Sequence, residues 1–237
     1  MTEQPRTVVL TGVGRPGQVG EAVAQAFART GSRLVLVERD LADVSQRAND
    51  VRSLGGEVYP FACDLSDVAA VTELANNIGQ VAPNGIHALV CLAGGFSMSG
   101  PVADSDPAIF SKMIAINLTT AYLTTRALLP LVRQARGSIL YFSAAAVLSA
   151  ATGARISGYA AAKSGVAALM RAVAAEEAAN GVRANALAPT SIRTASNEQS
   201  MGHDARYVER EQVADVTLYL CSEAAHAITG QMIRLDA

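Results

Sequence analysis

Hydrophobic residues in this chain fall in short runs, separated by longer stretches in which apolar positions recur at helical spacing. Residues 7–11 (TVVLT) form the first run, which ends in glycines, and residues 21–29 (EAVAQAFAR) carry the first helical pattern. Gly31 closes that pattern, and residues 34–37 (LVLV) make a second apolar run ending at Glu38. The order predicts strand, glycine turn, helix and strand, a βαβ unit. The alternation continues with a helix near 42–54, a strand near 58–62, a helix near 68–78 and a strand at 88–93. Beyond lie a long helix from about 107 to 133, a strand at 138–142, a helix after Ser157, a strand at 183–187, a helix around 210–220 and a last strand at 232–235. Strands that alternate with helices pair in parallel, because each helix carries the chain back to the starting edge of the sheet. The expected fold is α/β, a seven-stranded parallel sheet flanked by helices, in one domain over residues 1–237. No internal repeat or linker interrupts it, and the one long irregular stretch, 189–207, is a candidate substrate loop or lid.

Composition narrows the function more than the fold. Half of the 237 residues are hydrophobic and 17% are charged, which is a folded rather than a disordered chain. The net charge of -2, with no cluster of Lys or Arg, argues against nucleic acid as a partner. Cys63, Cys91 and Cys221 lie far apart without CxxC spacing and read as reduced core thiols, so no metal site is expected. Residues 1–6 are polar and lead directly into a strand, and no apolar stretch is long enough to cross a bilayer. A cytoplasmic location without membrane contact is the expectation.

The first candidate chemistry is the turn GVGRPGQVG, residues 12–20. Glycines let a backbone turn sharply and approach a pyrophosphate, whose charge then faces the amides that open the next helix. Glycine-rich turns also join strands to helices for steric reasons alone. Here the turn follows a first strand, opens a helix, and is followed at the end of the second strand by Glu38, an acceptor for ribose hydroxyls. This context marks Gly12, Gly14, Gly17, Val19 and Gly20 as dinucleotide-binding positions in a doubly wound, Rossmann-type fold. A carboxylate at 38 repels a 2′-phosphate, which favours NAD over NADP, although Arg15 and Arg39 stand close enough in sequence to neutralise one.

The second is Tyr159-Ala160-Ala161-Ala162-Lys163, which places a phenol and an ammonium on one helix face, a turn apart. A cation there favours phenolate and draws a group that titrates near pH ~10 toward the working range of an acid–base catalyst. With this pair the chain resembles the short-chain dehydrogenase/reductase family over nearly its whole length. The resemblance implies that Lys163 also holds the nicotinamide ribose. It implies that Asp64 and Leu65 (Cys63-Asp64-Leu65) lie at the adenine and that Ala93 and Gly94 (LAGG) correspond to the family's NNAG segment. Asn117 matches its helix asparagine, which holds a water in a proton relay to the lysine, while the bland reading is an asparagine that bends its helix. Residues 185–189 (NALAP) resemble the NxxxPG segment, so Pro189, Ile192 and Thr194 are expected at the nicotinamide, unless Thr194 serves an ordinary turn.

Several positions depart from the family. Cys91 and Leu92 replace its two asparagines, and Thr190 replaces a glycine. The usual serine beside the tyrosine is alanine, at Ala144 counted from Gly137 or at Ala146 counted back from Tyr159. Ser143 is the nearest replacement donor to substrate if the strand end bulges, and Ser149 is another. Loss of one donor to a developing oxyanion costs ~10²-fold in rate unless something compensates. The branch formed by dihydropteridine reductase also carries alanine there and keeps the tyrosine and lysine. The 12–20 turn has the length seen in enoyl-acyl-carrier reductases, but those space their tyrosine and lysine more widely than Tyr159 and Lys163. The reading is an NAD(P)-dependent oxidoreductase of a small carbonyl or alcohol, with NAD preferred and with Tyr159, Lys163, Asn117 and Ser143 as catalytic candidates. Alternatives are a pteridine or quinonoid reductase and a non-catalytic dinucleotide-binding subunit. The Ala-rich helix 160–179 suits close packing between subunits, so a homo-oligomer, a tetramer or dimer, is expected.

Overall fold

The structure is a computed structural model that describes residues 5–14, 16–149 and 152–237. Arg15, offered above as a neutraliser of phosphate, lies outside the described residues. Seven strands form one parallel sheet in the order β3-β2-β1-β4-β5-β6-β7. They are β1 (Thr7–Thr11), β2 (Arg33–Glu38), β3 (Val58–Ala62), β4 (Ala88–Cys91), β5 (Ser138–Phe142), β6 (Arg183–Pro189) and β7 (Met232–Leu235). The chain winds out from β1 to β3, returns to place β4 on the other side of β1, and winds out again to β7. That reversal opens a crevice between the loops after β1 and β4, where parallel sheets bind ligands. Thr11 is in register with both Val37 and Cys91, so Gly12, Glu38 at the end of β2, and Leu92 emerge together at one sheet edge.

Alternation along the strands divides the core. Val8 and Leu10 of β1 face one layer with Phe27, Leu34 and Leu36, while Val9 faces the other with Val35, Leu89 and Ile139. The first layer is covered by α1 (Val19–Arg29), α2 (Leu41–Ser53) and α8 (Arg210–Cys221). The second is covered by α3 (Val68–Val81), α5 (Thr120–Ala135) and α6 (Ser157–Glu177). Asp40 and Asp67 cap α2 and α3 by accepting from the first free amides of each helix. No helix among the described residues is long and apolar enough to cross a membrane.

Two expected elements differ. The long helix from 107 is instead α4 (Pro107–Ile114), a π-helical turn over Ala115–Thr119, and then α5. Inside that turn the Asn117 amide donates to Met113 O at 3.0 Å and Thr120 Oγ1 donates to Ile116 O at 2.9 Å. Side chains that compete for helix carbonyls widen the ladder locally, and such turns gather at functional sites. The stretch 189–207 contains α7 (Ala195–Met201), capped by Thr194 Oγ1 and ended by Gly202 at φ 89°. Its sequence, ASNEQSM, has no apolar period for a pattern to detect.

Candidate active site

The glycine turn is shaped by backbone conformations that side chains rarely adopt. Gly12, Gly14 and Gly17 have φ of 71°, 65° and 78°. A Cβ on Gly12 would lie 2.4 Å from Ala93 Cα, and one on Gly20 would lie 2.4 Å from the Val13 carbonyl oxygen. These two glycines therefore set the contact of the turn with Ala93 and with the start of α1, where Val19 is the first helical residue. The Gly14 amide donates to Glu38 Oε2 at 2.9 Å, and Arg39 N donates to Glu38 Oε1 at 2.9 Å. A cavity of about 490 Å³ opens beside them, lined by Gly14, Gln18, Glu38, Arg39, Asp40, Asp43 and Ser196. Asp64 is exposed after β3, where the Ser66 hydroxyl and amide hold its carboxyl below the usual range, and Leu65 is buried beside it. Thr194 is buried with its hydroxyl accepting from Asn197 N at 3.1 Å, and Ile192 bridges to Val208, so both shape the mouth of the loop after Pro189.

Around Gly94 the structure gathers Asn117 and Lys163, and Tyr159 stands beside Lys163. A Cβ on Gly94 would lie 2.5 Å from Asn117 Oδ1 and 3.5 Å from Lys163 Nζ, so only a glycine lets these side chains converge. Asn117 is buried; Oδ1 accepts from Gly95 N at 3.1 Å while Nδ2 donates to Gly95 O at 3.0 Å. Lys163 donates to the Phe142 carbonyl at 2.8 Å, and its ammonium lies 5.7 Å from the centroid of the Tyr159 ring. Burial pushes the Tyr159 phenol up to about 12 and the Lys163 ammonium down to about 8. The sequence-level expectation that Lys163 lowers Tyr159 is thus outweighed here, because the cation is turned to a backbone carbonyl and both groups lose water.

Ser143 has a different place from the one expected. Its hydroxyl is buried and donates to the Lys163 backbone carbonyl at 3.0 Å, which braces the helix turn that carries Lys163. The strand end does not bulge to turn it outward, since Ser143 N continues the ladder to Leu187 O at 2.8 Å. Ala144 is buried and Ala146 half-buried. Ser149 is exposed in the following loop, its carbonyl accepting from Thr152 Oγ1 at 3.0 Å.

Two groups at the site had no signature in the sequence. Glu21 accepts from Gly17 N at 2.7 Å, from Arg47 at 2.8 Å and from Arg210 at 3.2 Å, joining the glycine turn to α2 and α8. Burial opposes its charge, yet the Gly17 amide and the guanidiniums hold its carboxyl below the usual range. Arg47, 1% exposed, also meets Asp50 at 2.6 Å. An acid in a first helical turn was the sole hint. The other group is Phe96, whose ring meets that of Tyr159 edge-on with centroids 5.0 Å apart. Among the described residues no cluster of three His, Cys, Asp or Glu side chains could hold a metal ion.

Comparison with known proteins places this geometry. A family model described as enoyl-(acyl carrier protein) reductase matches residues 12–237. Galactitol 2-dehydrogenase (L-tagatose-forming) of Cereibacter sphaeroides is 30% identical over 241 residues, covering 96% of this chain and 92% of that one. An oxidoreductase of the short-chain dehydrogenase/reductase family from Burkholderia thailandensis superposes with a TM-score of 0.84 at 28% identity, over 99% of this chain and 92% of that one. The chain belongs to the short-chain dehydrogenase/reductase family. A further member, a 3-oxoacyl-[acyl-carrier protein] reductase from Brucella melitensis solved with bound NAD, superposes with a TM-score of 0.85 at 30% identity, covering 99% of this chain and 90% of that one. As a short-chain dehydrogenase/reductase this protein is an NAD(P)-dependent oxidoreductase acting between alcohols and carbonyls. The pteridine and non-catalytic alternatives are not favoured by these relatives. A dinucleotide fits the residues present: three glycines at positive φ between β1 and α1, a Gly12 turn packed directly on Ala93, and a carboxylate, Glu38, at the edge of a cavity of about 490 Å³.

Proposed function

We propose that this short-chain dehydrogenase/reductase interconverts a small ketone and its secondary alcohol, using NAD(H) in preference to the phosphorylated cofactor. The meeting of Asn117 and Lys163 at Gly94, with the Tyr159 ring centroid 5.7 Å from the Lys163 ammonium, carries this reading. When bound, the nicotinamide supplies or accepts the hydride. Gly12, Gly14, Gly17, Val19, Gly20, Glu38, Asp64, Leu65, Ala93 and Gly94 are proposed to hold the dinucleotide, with Pro189, Ile192 and Thr194 at its reactive end. The whole chain then acts as one dinucleotide-binding domain, with 189–207 as its substrate loop.

Tyr159 is protonated at neutral pH, so it is suited to donate to a carbonyl oxygen; in the reverse direction it must first lose its proton, and oxidation gains from higher pH. Lys163 keeps its charge below about pH 8 and is the proposed partner of the ribose hydroxyls. Asn117 anchors the Gly95 backbone and is the proposed start of the proton relay. Ser143 supports Lys163 through its carbonyl instead of meeting substrate, which leaves Tyr159 as the principal donor to the carbonyl oxygen.

For the cofactor, Glu38, Asp40 and Asp43 outnumber the one guanidinium, Arg39, among the described residues that line the cavity, a balance that disfavours a 2′-phosphate. A carboxylate accepts several bonds at once, so Glu38 can keep Gly14 N and still take a ribose hydroxyl. Ala161, Ser164, Ala168 and Ala175 leave a stripe of small exposed residues on α6, which supports a homo-oligomer packed through that helix. Three buried, unpaired cysteines fit a reducing, cytoplasmic setting. The decisive experiment is Tyr159→Phe: turnover of any ketone should fall by ~10³-fold with nucleotide affinity unchanged. Turnover that survives the substitution would reject Tyr159 as the acid.

A further inference from the structure

The segment after β4 is fastened at both ends and presents apolar side chains between. At its start, Asn117 bonds both the amide and the carbonyl of Gly95. At its far end, the amides of Ser99 and Gly100 both donate to Arg155 O, at 2.8 and 3.1 Å, and Ser99 Oγ lies 3.2 Å from Ser157 Oγ at the head of the Tyr159 helix. Between these ties stand Phe96 and Met98, 61% and 57% exposed. A mobile loop could fold such residues away from water; a strap held at both ends cannot. Phe96 gives one edge contact to Tyr159, leaving most of its ring open beside the phenol oxygen's own side chain. Leu148, 41% exposed, follows β5, and Met201, 52% exposed, lies on α7 after β6, so the loops at the same sheet edge add further apolar side chains.

The geometry points to a substrate class: a ketone, or its secondary alcohol, that carries an apolar ring next to the reacting carbon and lays that ring on Phe96. Alanine at 144 and 146 strengthens the point. With no hydroxyl there to orient the carbonyl, and Ser143 turned to Lys163, orientation falls to shape and ring contact. An aromatic ring laid on Phe96 gains attraction beyond simple burial, whereas a polyhydroxylated chain would leave its hydroxyls facing Phe96 and Met98 without partners. In the reducing direction the carbonyl oxygen would take the proton of Tyr159 as the carbonyl carbon accepts the hydride that a bound NADH would supply, giving the alcohol and NAD⁺, and Tyr159 would regain its proton from solvent. This inference rests on the oxidoreductase reading above.

The test uses the full chain and three ketones: an aryl or cyclohexyl ketone, a straight-chain ketone of equal carbon number, and a ketohexose. In the wild type, kcat/KM for the ring ketone should exceed that of each of the others by tenfold or more. Phe96→Ala should lower the ratio of kcat/KM for the ring ketone to that for the straight-chain ketone about tenfold, mainly through KM, with the NADH affinity unchanged. Binding is read separately by saturation-transfer NMR on Tyr159→Phe, which keeps Phe96: the ring ketone should bind, and should cease to bind in Tyr159→Phe/Phe96→Ala. Equal wild-type rates on ketohexose and ring ketone, or a Phe96→Ala loss spread over all three, would overturn the ring assignment while leaving the oxidoreductase intact. Turnover of none of them together with ring binding would instead count against the proposed function and for the Phe96 site.

Discussion

Lys163 makes a prediction about stability that is separable from catalysis. The residue is 7% exposed, and burial brings the ammonium down from 10.5 to about 8. Below pH 8 both native and unfolded chains hold the proton, and the native state carries the whole burden of a buried charge. At about 1.4 kcal/mol for each pH unit separating the two values, that burden is roughly 3 kcal/mol. Between about 8 and 10.5 the unfolded chain keeps a proton that the native chain has released, so wild-type stability rises with pH across that window. Lys163→Met removes the titration. It also strips the Phe142 carbonyl of its donor, at a cost of about 1–3 kcal/mol, but that loss is the same at every pH and cancels in the slope. Relative to the variant, the wild type should therefore gain roughly 2 kcal/mol between pH 7 and about 9.5. Tyr159, pushed up to about 12, stays neutral throughout this range. Urea unfolding of both proteins followed by circular dichroism, without added nucleotide, reads the difference from the midpoints at constant slope. A difference that stays flat, or that moves against the wild type as pH rises, would refute the claim that desolvation governs this lysine.

Two other expectations concern the cofactor turn. Gly20→Ala should destabilise by about 3 kcal/mol, because the new Cβ meets Val13 backbone atoms at 2.4 to 2.6 Å that cannot yield, whereas Gly79→Ala in α3 has open space and should raise Tm slightly. Thermal melts of the pair check this, and equal Tm changes would contradict it. Glu38→Gln keeps an acceptor for Gly14 N but removes the charge, so the NADH-to-NADPH affinity ratio should fall about tenfold, equivalent to about 1.4 kcal/mol. Fluorescence titration of both nucleotides measures the ratio, and a wild type that already prefers NADPH would defeat the argument.

How much of this protein could be read from its residues depends on the range of the physics involved. Hydrophobic period and glycine position are local properties, so the seven strands, their parallel pairing and the sites of Gly12, Glu38 and Gly94 were legible in the chain. The Tyr159–Lys163 spacing likewise follows from one helical turn. What a polar group bonds to is not local. Ser143 could not be assigned without knowing that the Lys163 carbonyl lies opposite its hydroxyl, nor Glu21 without Arg47 and Arg210 arriving from two other helices. The π turn follows the bonds of the Asn117 and Thr120 side chains to helix carbonyls, and the strap that exposes Phe96 is tied at its start by the reciprocal bond of Asn117 to Gly95, 22 residues away. The direction of the Tyr159 and Lys163 titrations was set by how much water the folded chain excludes from them, a quantity that exists only once the layers have packed.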